Sequence, residues 1–556
     1  MSIPATSDQW WKNGIVYCLD VETFCDGNGD GIGDLRGLME RIDYLAGIGV
    51  SILWLMPFHP TPDRDDGYDV VDFYGVDQRL GTLGDFVELV RTARDRGIRV
   101  IIDLVVNHTS ERHPWFQSAR SERDSPFRDW YVWADEPQDD GSMTETFPGE
   151  QGGVWTYDRK TGQHYLHRFF PHQPDLNVAN PAVRAEIARI AGFWLELGVS
   201  GFRLDAVPFF IELEGVPEAP SVDPHRYLKE LRSFVQRRRG DAIMLGEVNL
   251  PPREQRAFFG DEDGDELNLV FNFSVMQRIY LALARRDATV VADALRDLPD
   301  VPFDSQWATF LRNHDELTLD QLTDDERQEV FDAFGPDPDM QAYGRGLRRR
   351  LPPMLEGNRD QLEMAYSLLF SLPGTPVIFY GEEIGMGENL EVPDRGAVRT
   401  PMQWSAEPGA GFSTAEPDRF PAAVPSGEYG PLAVNVAAQR RDPSSLLNWF
   451  ERLMRRRKET PELGYGTWQV IDTGVSAVLA HRCSWEEATV LAVHNFTPEP
   501  CRLRLTLDDI EDAVALEPLL DNRAHEELTD RATELTLAGY GYRWFRVLRA
   551  GHRIAP

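Results

Sequence analysis

The stretch RVIIDLVVN, residues 99–107, decides the fold. It is apolar on both alternating faces over most of its length, which is how a strand reads when both faces are covered, as in parallel sheets. Working outward, helical apolar spacing over 82–96 ends at Gly97 just before it, and the short apolar run 50–56 precedes that helix. Further upstream, 15–24 reads as a strand, and Leu35, Leu38, Met39, Ile42, Leu45 and Ile48 recur at helical spacing before Gly49. Downstream the alternation resumes with helix 182–197, strand 199–207, helix 225–239, strands 242–248 and 268–273, helix 276–296 and strand 306–314. Strand 376–380, introduced by the turn Pro373-Gly374-Thr375, is the eighth. Eight β/α units predict an α/β chain closed into a (β/α)8 TIM barrel rather than an open sheet.

The barrel takes 1–107 and 178–460. Residues 108–177 are aromatic, proline-rich and charged, too long for an ordinary connection, and read as a domain inserted after strand three. A helical insertion, 317–358, follows strand seven. From 461 to 556 the pattern changes to short alternating segments (475–482, 489–495, 501–507, 542–548), predicting an antiparallel C-terminal β domain.

With 42% apolar residues besides 45 glycines, the 556-residue chain can bury a large core, which excludes disorder and fibrous structure. Its 57 basic and 91 acidic residues leave a net charge of −34, which disfavours nucleic acid and anionic membrane as partners. Two basic runs, Arg348 to Arg350 and Arg455 to Lys458, read as solvated helix faces or salt-bridge partners. Cys18, Cys25, Cys483 and Cys501 have no metal or redox spacing and read as reduced thiols. Residues 1–14 lack a basic or apolar leader and no apolar run reaches bilayer length, so a cytoplasmic protein without membrane partners is expected.

Polar residues stand where barrel strands end, which is where reactive groups of such barrels sit. Strand three ends in Asp103, Asn107 and His108, strand four in Arg203 and Asp205, strand five in Glu247 and Asn249, and strand seven in Arg312, Asn313, His314, Asp315 and Glu316. Arg203 is two residues from Asp205, on the same strand face, and is expected to keep it ionised. Glu247, facing two further carboxylates, is expected to stay protonated near neutral pH.

The segments DLVVNH, GFRLDAV, GEVN and FLRNHD, with QPDLN at 173–177, are similar in order and spacing to the signature regions of the α-amylase superfamily of retaining α-glycosidases and transglycosylases. Flanking stretches such as RDDGYDV, HRFFPHQPDLN, GRGLRRRLPPML and RTPMQW most resemble the trehalose synthases, which isomerise maltose, and the resemblance covers essentially the whole chain. It implies Asp205 as nucleophile, Glu247 as general acid/base, and Asp315 as a third carboxylate that binds and distorts the sugar in the −1 subsite. His108 and His314 would bond sugar hydroxyls. Asp65 and Tyr68 would close the −1 pocket, with Arg399 paired to Asp65, giving a blind pocket for a disaccharide. Arg203, Asn249 and Phe209 complete the expected substrate site.

Asp26, Asn28, Asp30, Ile32 (by its carbonyl) and Asp34 place oxygens at alternate positions around a glycine at position six, as in an EF-hand loop, although position twelve is Gly37. The resemblance implies structural calcium there. A second ion is expected at Asn107, Asp175, Glu212 and the carbonyls of Phe209 and Phe210. No organic cofactor is expected, and oligomeric state, a homo-oligomer included, is left open.

The chain departs from the isomerase pattern around the released sugar. Phe209 replaces the usual tyrosine four residues after the nucleophile, Glu247 is followed by Val248-Asn249-Leu250-Pro251, and Asp20, Glu22 and Cys25 replace histidine, arginine and tyrosine on the first strand. Hydrolysis and isomerisation share one covalent intermediate and differ in what attacks it. The expected activity is conversion of maltose to trehalose, with α-glucosidase or intermolecular transglucosylase as the alternative.

Overall fold

The computed structural model describes residues 9–137, 145–211 and 223–551. Eight parallel strands close a barrel: β1 (Val16–Leu19), β2 (Ile52–Leu55), β3 (Arg99–Leu104), then, after a small sheet described below, β7 (Gly201–Leu204), β8 (Ile243–Gly246), β9 (Leu269–Phe271), β10 (Gln306–Phe310) and β14 (Thr375–Phe379), with β14 next to β1. All eight expected strands are present, the first seven shorter than their apolar runs and the eighth shifted by one residue. The run 15–24 shows why: Asp20 caps the backbone of Glu22 and turns the chain into the short helix Val21–Phe24. Strand interiors are fully buried because helices cover the outside.

Gly201 explains how β7 is seated. Its φ is +154°, and a Cβ there would lie 2.3 Å from the Ile243 carbonyl oxygen, so only glycine lets β7 lie this close to β8. The expected helix 276–296 is in fact two, Phe273–Arg285 and Thr289–Arg296. Arg286 between them adopts φ +55°, and the left-handed residue ends the first helix although apolar spacing continues across it.

After β3 the chain forms a three-stranded antiparallel sheet, β4 (Trp133–Ala134), β5 (Trp155–Asp158) and β6 (Gln163–Leu166), with β6 central. Backbone bridges His108 to Asp175 and Tyr131 to Leu176 tie the ends of this insertion together where it leaves and rejoins the barrel. After β10 comes a second small sheet, β11 (Leu317–Thr318), β12 (Gln341–Ala342) and β13 (Gly346–Leu347), around the helix Asp324–Phe334, which a Thr323/Glu326 capping box starts. Both insertions leave from the carboxyl ends of strands and cover the same end of the barrel.

The C-terminal region is antiparallel, a six-stranded sheet beside a pair formed by Cys501–Thr506 and Ala532–Leu537, with a core of its own. It docks on the helix Arg359–Ser371 through buried polar contacts: Trp544 Nε1 donates to Ser367 Oγ (3.0 Å), His494 Nε2 meets the same oxygen (3.0 Å), and His481 Nε2 donates to the Ser371 carbonyl (2.8 Å). The four cysteines are free. Among the described residues no helix is long and apolar enough to cross a membrane.

In the second basic run Arg455 and Arg456 are, as expected, on the outer face of the helix Leu446–Lys458, paired with Glu451 and Glu459, whereas Arg457 and the run Arg348 to Arg350 depart from a solvated helix face. Arg457 is buried in the helix Leu446–Lys458 and donates to the Gly374 carbonyl at the start of β14 (2.7 Å). Arg348 to Arg350 lie outside any long helix and grip backbone carbonyls, as described below.

Candidate active site

At the carboxyl end of the barrel, β7, β8 and β10 bring Asp205, Glu247 and Asp315 together around one cavity of about 240 Å³, with Arg203 and Asp103 of β7 and β3 behind them. Arg203 is the hub. Its Nη1 donates to Asp205 Oδ1 (2.5 Å) and Asp103 Oδ1 (2.7 Å), and its Nη2 to Glu247 Oε2 (2.6 Å). Trp54 Nε1 holds the other oxygen of Asp103 (2.7 Å). Ala206, directly after Asp205, adopts φ +47° and donates its N–H to Glu247 Oε2 (3.1 Å), so a strained residue ties the two carboxyls to each other.

These environments set the protonation order. Burial pushes Glu247 up to about 7, with Asp205 and Asp315 adding to the rise against Arg203. Burial also raises Asp205, to about 6, against the opposing charge of Arg203. The expectation that Arg203 simply keeps Asp205 ionised is therefore corrected: the guanidinium is shared among three carboxyls, Asp103 included, so its pull on each is divided, and burial outweighs it at all three. Glu247 still lies above Asp205, the order acid/base and nucleophile require.

Asp315 behaves oppositely. Burial disfavours its charge, but contact with His314 and the guanidiniums of Arg395 and Arg399 (2.8 and 2.9 Å) outweigh burial and hold it well below the usual carboxylate range. His314 itself is kept neutral by burial, so the positive charge comes from the two arginines.

The arginine pairing differs from expectation. Arg395 Nη2, not Arg399, donates to Asp65 (2.5 Å), while Arg399 pairs with Asp66 and gives its Nε to the His314 carbonyl (2.7 Å). Both arginines ride on the turn Asp394–Val398, four residues apart, and Arg395 is the one turned into the cavity. His314 is displaced too: its Nε2 bonds Tyr68 Oη (2.7 Å), with the rings parallel, and it stands behind the cavity wall. His108 lines the cavity, with Nε2 on the Tyr68 carbonyl (3.2 Å), and burial holds it neutral, down to about 3.

Asp65, Tyr68, Phe209 and Asn249 line the cavity as well. Phe209 packs edge-on to Phe169, and Asn249 donates to both oxygens of Asp320 (3.0 and 2.8 Å). Missed from the sequence were Arg395, Asp66, Phe147, Phe169 and Arg345. Asp66 adjoins Asp65, so adjacency was the available signal for it.

In the loop after β1, Asp26 accepts from Asn28, Gly29 and Gly31 N–H, Asn28 from Asp30, and Asp30 from Ile32. Asp34 caps the helix Leu35–Glu40 through Gly37 N–H (2.7 Å). A side chain at Gly37 would collide with the Cys25 carbonyl, its Cβ 2.0 Å away, so no ligand can stand at position twelve. Asn107 Nδ2 donates to Asp175 Oδ1 (3.2 Å), and the Phe209–Phe210 stretch is helical, while Glu212 lies outside the described residues. Among the described residues no three histidine, cysteine, aspartate or glutamate side chains are arranged to hold a metal ion.

Fold and site together define a class: (β/α)8 enzymes that bring a protonated and an ionised carboxyl to bear on one bond, the arrangement of glycosidases. Residues 20–333 and 349–466 match the model of the α-amylase catalytic domain, and 488–546 that of the sucrose hydrolase-like C-terminal domain. The chain belongs to the α-amylase family. It is 41% identical to the trehalose synthase/amylase of Mycolicibacterium smegmatis, over 98% of this chain and 93% of that one, and 40% identical to the trehalose synthase of Pimelobacter sp., over 97% and 96%. Among solved structures, a trehalulose synthase variant in complex with sucrose superposes with a TM-score of 0.78 at 29% identity, over 99% of this chain and 100% of that one.

Proposed function

We propose that the protein converts maltose to trehalose by intramolecular glucosyl transfer. Asp205 attacks the anomeric carbon of the non-reducing glucose as the glycosidic C–O bond breaks, and the Glu247 proton passes to the leaving oxygen. The released glucose turns to present its 1-hydroxyl. Glu247, now a carboxylate, takes that proton as the hydroxyl oxygen displaces Asp205. Asp315, kept anionic by Arg395 and Arg399, grips the hydroxyls of the −1 sugar.

The observation that carries this reading is the contact between the two insertions beside the cavity. Phe147 of the inserted domain meets Tyr343 of the helical insertion, ring centroids 4.9 Å apart, and Arg395 lies against Phe147 from beneath (4.9 Å). A pocket with the two insertions joined beside it suits a glucose that must stay while it turns. Hydrolysis to glucose is the second reading, favoured by one observation: Phe209 and Leu250 line the cavity where a hydroxyl and an aromatic ring would help hold that glucose.

Incubating the purified protein with maltose decides between them. Trehalose with little glucose supports isomerisation; glucose alone supports the hydrolase, and longer oligosaccharides intermolecular transfer.

We extend the reading to structural calcium in the loop 26–34, supported by its oxygen-only donors and by the Asp34 carboxyl, which burial, with the neighbouring Asp26 charge, raises. Asp26, Asn28, Asp30, Asp34 and the Ile32 carbonyl would hold the ion, which would brace the first strand and take no part in the reaction. Chelator is expected to lower Tm, and added calcium to restore it.

A further inference from the structure

The run Arg348-Arg349-Arg350 follows β13 at the end of the helical insertion, and each guanidinium reaches the same segment, residues 388–399. Arg348 spans it: Nη2 donates to the Leu390 carbonyl (2.8 Å), Nη1 to the carbonyls of Val392 (2.7 Å) and Asp394 (3.4 Å), and Nε to that of Asp339 in the insertion (2.6 Å). Arg349 Nε pairs with Glu388 (2.8 Å). Arg350 is buried and donates to the carbonyls of Val398 and Tyr380.

That segment carries the turn from which Arg395 reaches Asp65 and Asp315, and Arg399 reaches Asp66 and Asp315. Its own backbone closes it through Asn389 N–H to Ala397 O (2.8 Å), with Val392 N–H to Asn389 O (3.1 Å) and Arg399 N–H to Gly396 O (3.0 Å) within it, and Asp394, at the start of the turn, adopts φ +47°. A non-glycine residue in the left-handed region persists when its surroundings hold it there, and the Arg348 contact to the Asp394 carbonyl does so.

We propose that Arg348 is a positioning residue for the glucosyl-transfer reaction: by gripping the carbonyls of Leu390, Val392 and Asp394 it fixes the turn that lays Arg395 between Asp65 and Asp315. It touches no substrate and acts through Arg395. One arginine thereby links the insertion that roofs the acceptor side to the carboxylates that hold the sugar being transferred. Only an extended guanidinium with donors on several sides can span three carbonyls of one segment and a fourth on the insertion; a lysine ammonium reaches one or two. The proposal rests on the functional reading above for the identity of the product only.

The test uses Arg348→Ala, Arg348→Lys, Arg395→Ala and the double variant R348A/R395A, each assayed with maltose and with a chromogenic α-glucoside that reports formation of the glucosyl-enzyme whatever attacks it later. For Arg348→Ala, kcat/KM on the chromogenic substrate is expected to fall about tenfold, since small displacements of positioning groups cost that much or more. Arg348→Lys should recover only part of that loss. The double variant should be no worse than Arg395→Ala alone, because residues acting through one another are not additive. Wild-type protein that makes only glucose from maltose would remove the isomerase reading and leave this series intact. Unchanged kcat/KM in Arg348→Ala, or losses that add in the double variant, overturns the proposal. If Arg348→Ala fails to fold, the comparison is made with Arg348→Lys, for which unchanged kcat/KM has the same force.

Discussion

Arg203 binds three carboxyls, and the chemistry follows from how unequally they respond. Asp205 and Glu247 exchange field through one guanidinium, so their protons come off as a pair, with apparent values near 6 and 7. The active form has Asp205 ionised and Glu247 protonated. Activity should therefore fall below about pH 6, as the nucleophile gains a proton, and above about pH 7, as the acid loses one. A narrow bell in kcat/KM for maltose is expected; a flat profile from pH 5 to 8 would count against this assignment. Replacing Glu247 by Gln separates the two roles. The leaving sugar of maltose needs a proton and a nitrophenolate does not, so the loss of rate should be larger by about 10²-fold or more for maltose than for a nitrophenyl α-glucoside. Equal losses on both substrates would place the acid elsewhere. These carboxyls were legible because each ends an apolar strand run, where a polar residue has few other reasons to stand. Arg395 was not: its partner Asp65 is 330 residues away, and spacing cannot say which of two arginines on one tight turn faces inward.

At the scale of elements, the barrel was legible because covered parallel strands are continuously apolar and the helices between them keep a stripe. Ends were less so. Side-chain caps at Asp20 and left-handed residues such as Arg286 stop elements whose hydrophobic pattern runs on, and the small sheets of the two insertions are two to four residues per strand, too short to carry a period. Those insertions decide access to the site. Tyr343 sits at φ +53° on the tip between β12 and β13 and packs against Phe147, which lines the cavity. Truncating it to Ala removes the ring contact without disturbing the carboxylates. The share of glucose among the products of maltose is expected to rise about twofold or more, because water gains access to the glucosyl-enzyme while its formation is unaffected. An unchanged product ratio in Tyr343→Ala would mean that the roof does not control water.

For the whole molecule, the join between barrel and β domain is a pH-dependent contact. His481 and His494 lie buried between the sheet and the helix Arg359–Ser371, with parallel rings, and burial lowers both, His481 to about 4 and His494 well below the usual histidine range. In the unfolded chain each titrates near 6.5. Below that value the unfolded state binds protons that the native state does not, so each histidine withdraws stability as pH falls from about 6.5 toward 4, by about 1.4 kcal/mol per pH unit. Buried carboxyls raised in the native state, Asp103, Asp205, Glu247 and Glu382 among them, act in the opposite direction over part of the same range. The net slope of wild-type stability is therefore not diagnostic, and the difference between proteins is. His494→Asn loses the contact to Ser367 and with it the proton linkage. It should be less stable than wild type at pH 7, and the gap should narrow as pH is lowered to 4.5, measured by denaturant unfolding at each pH with the single variant beside wild type. A gap of constant size across that range would show that His494 is not held neutral in the folded protein.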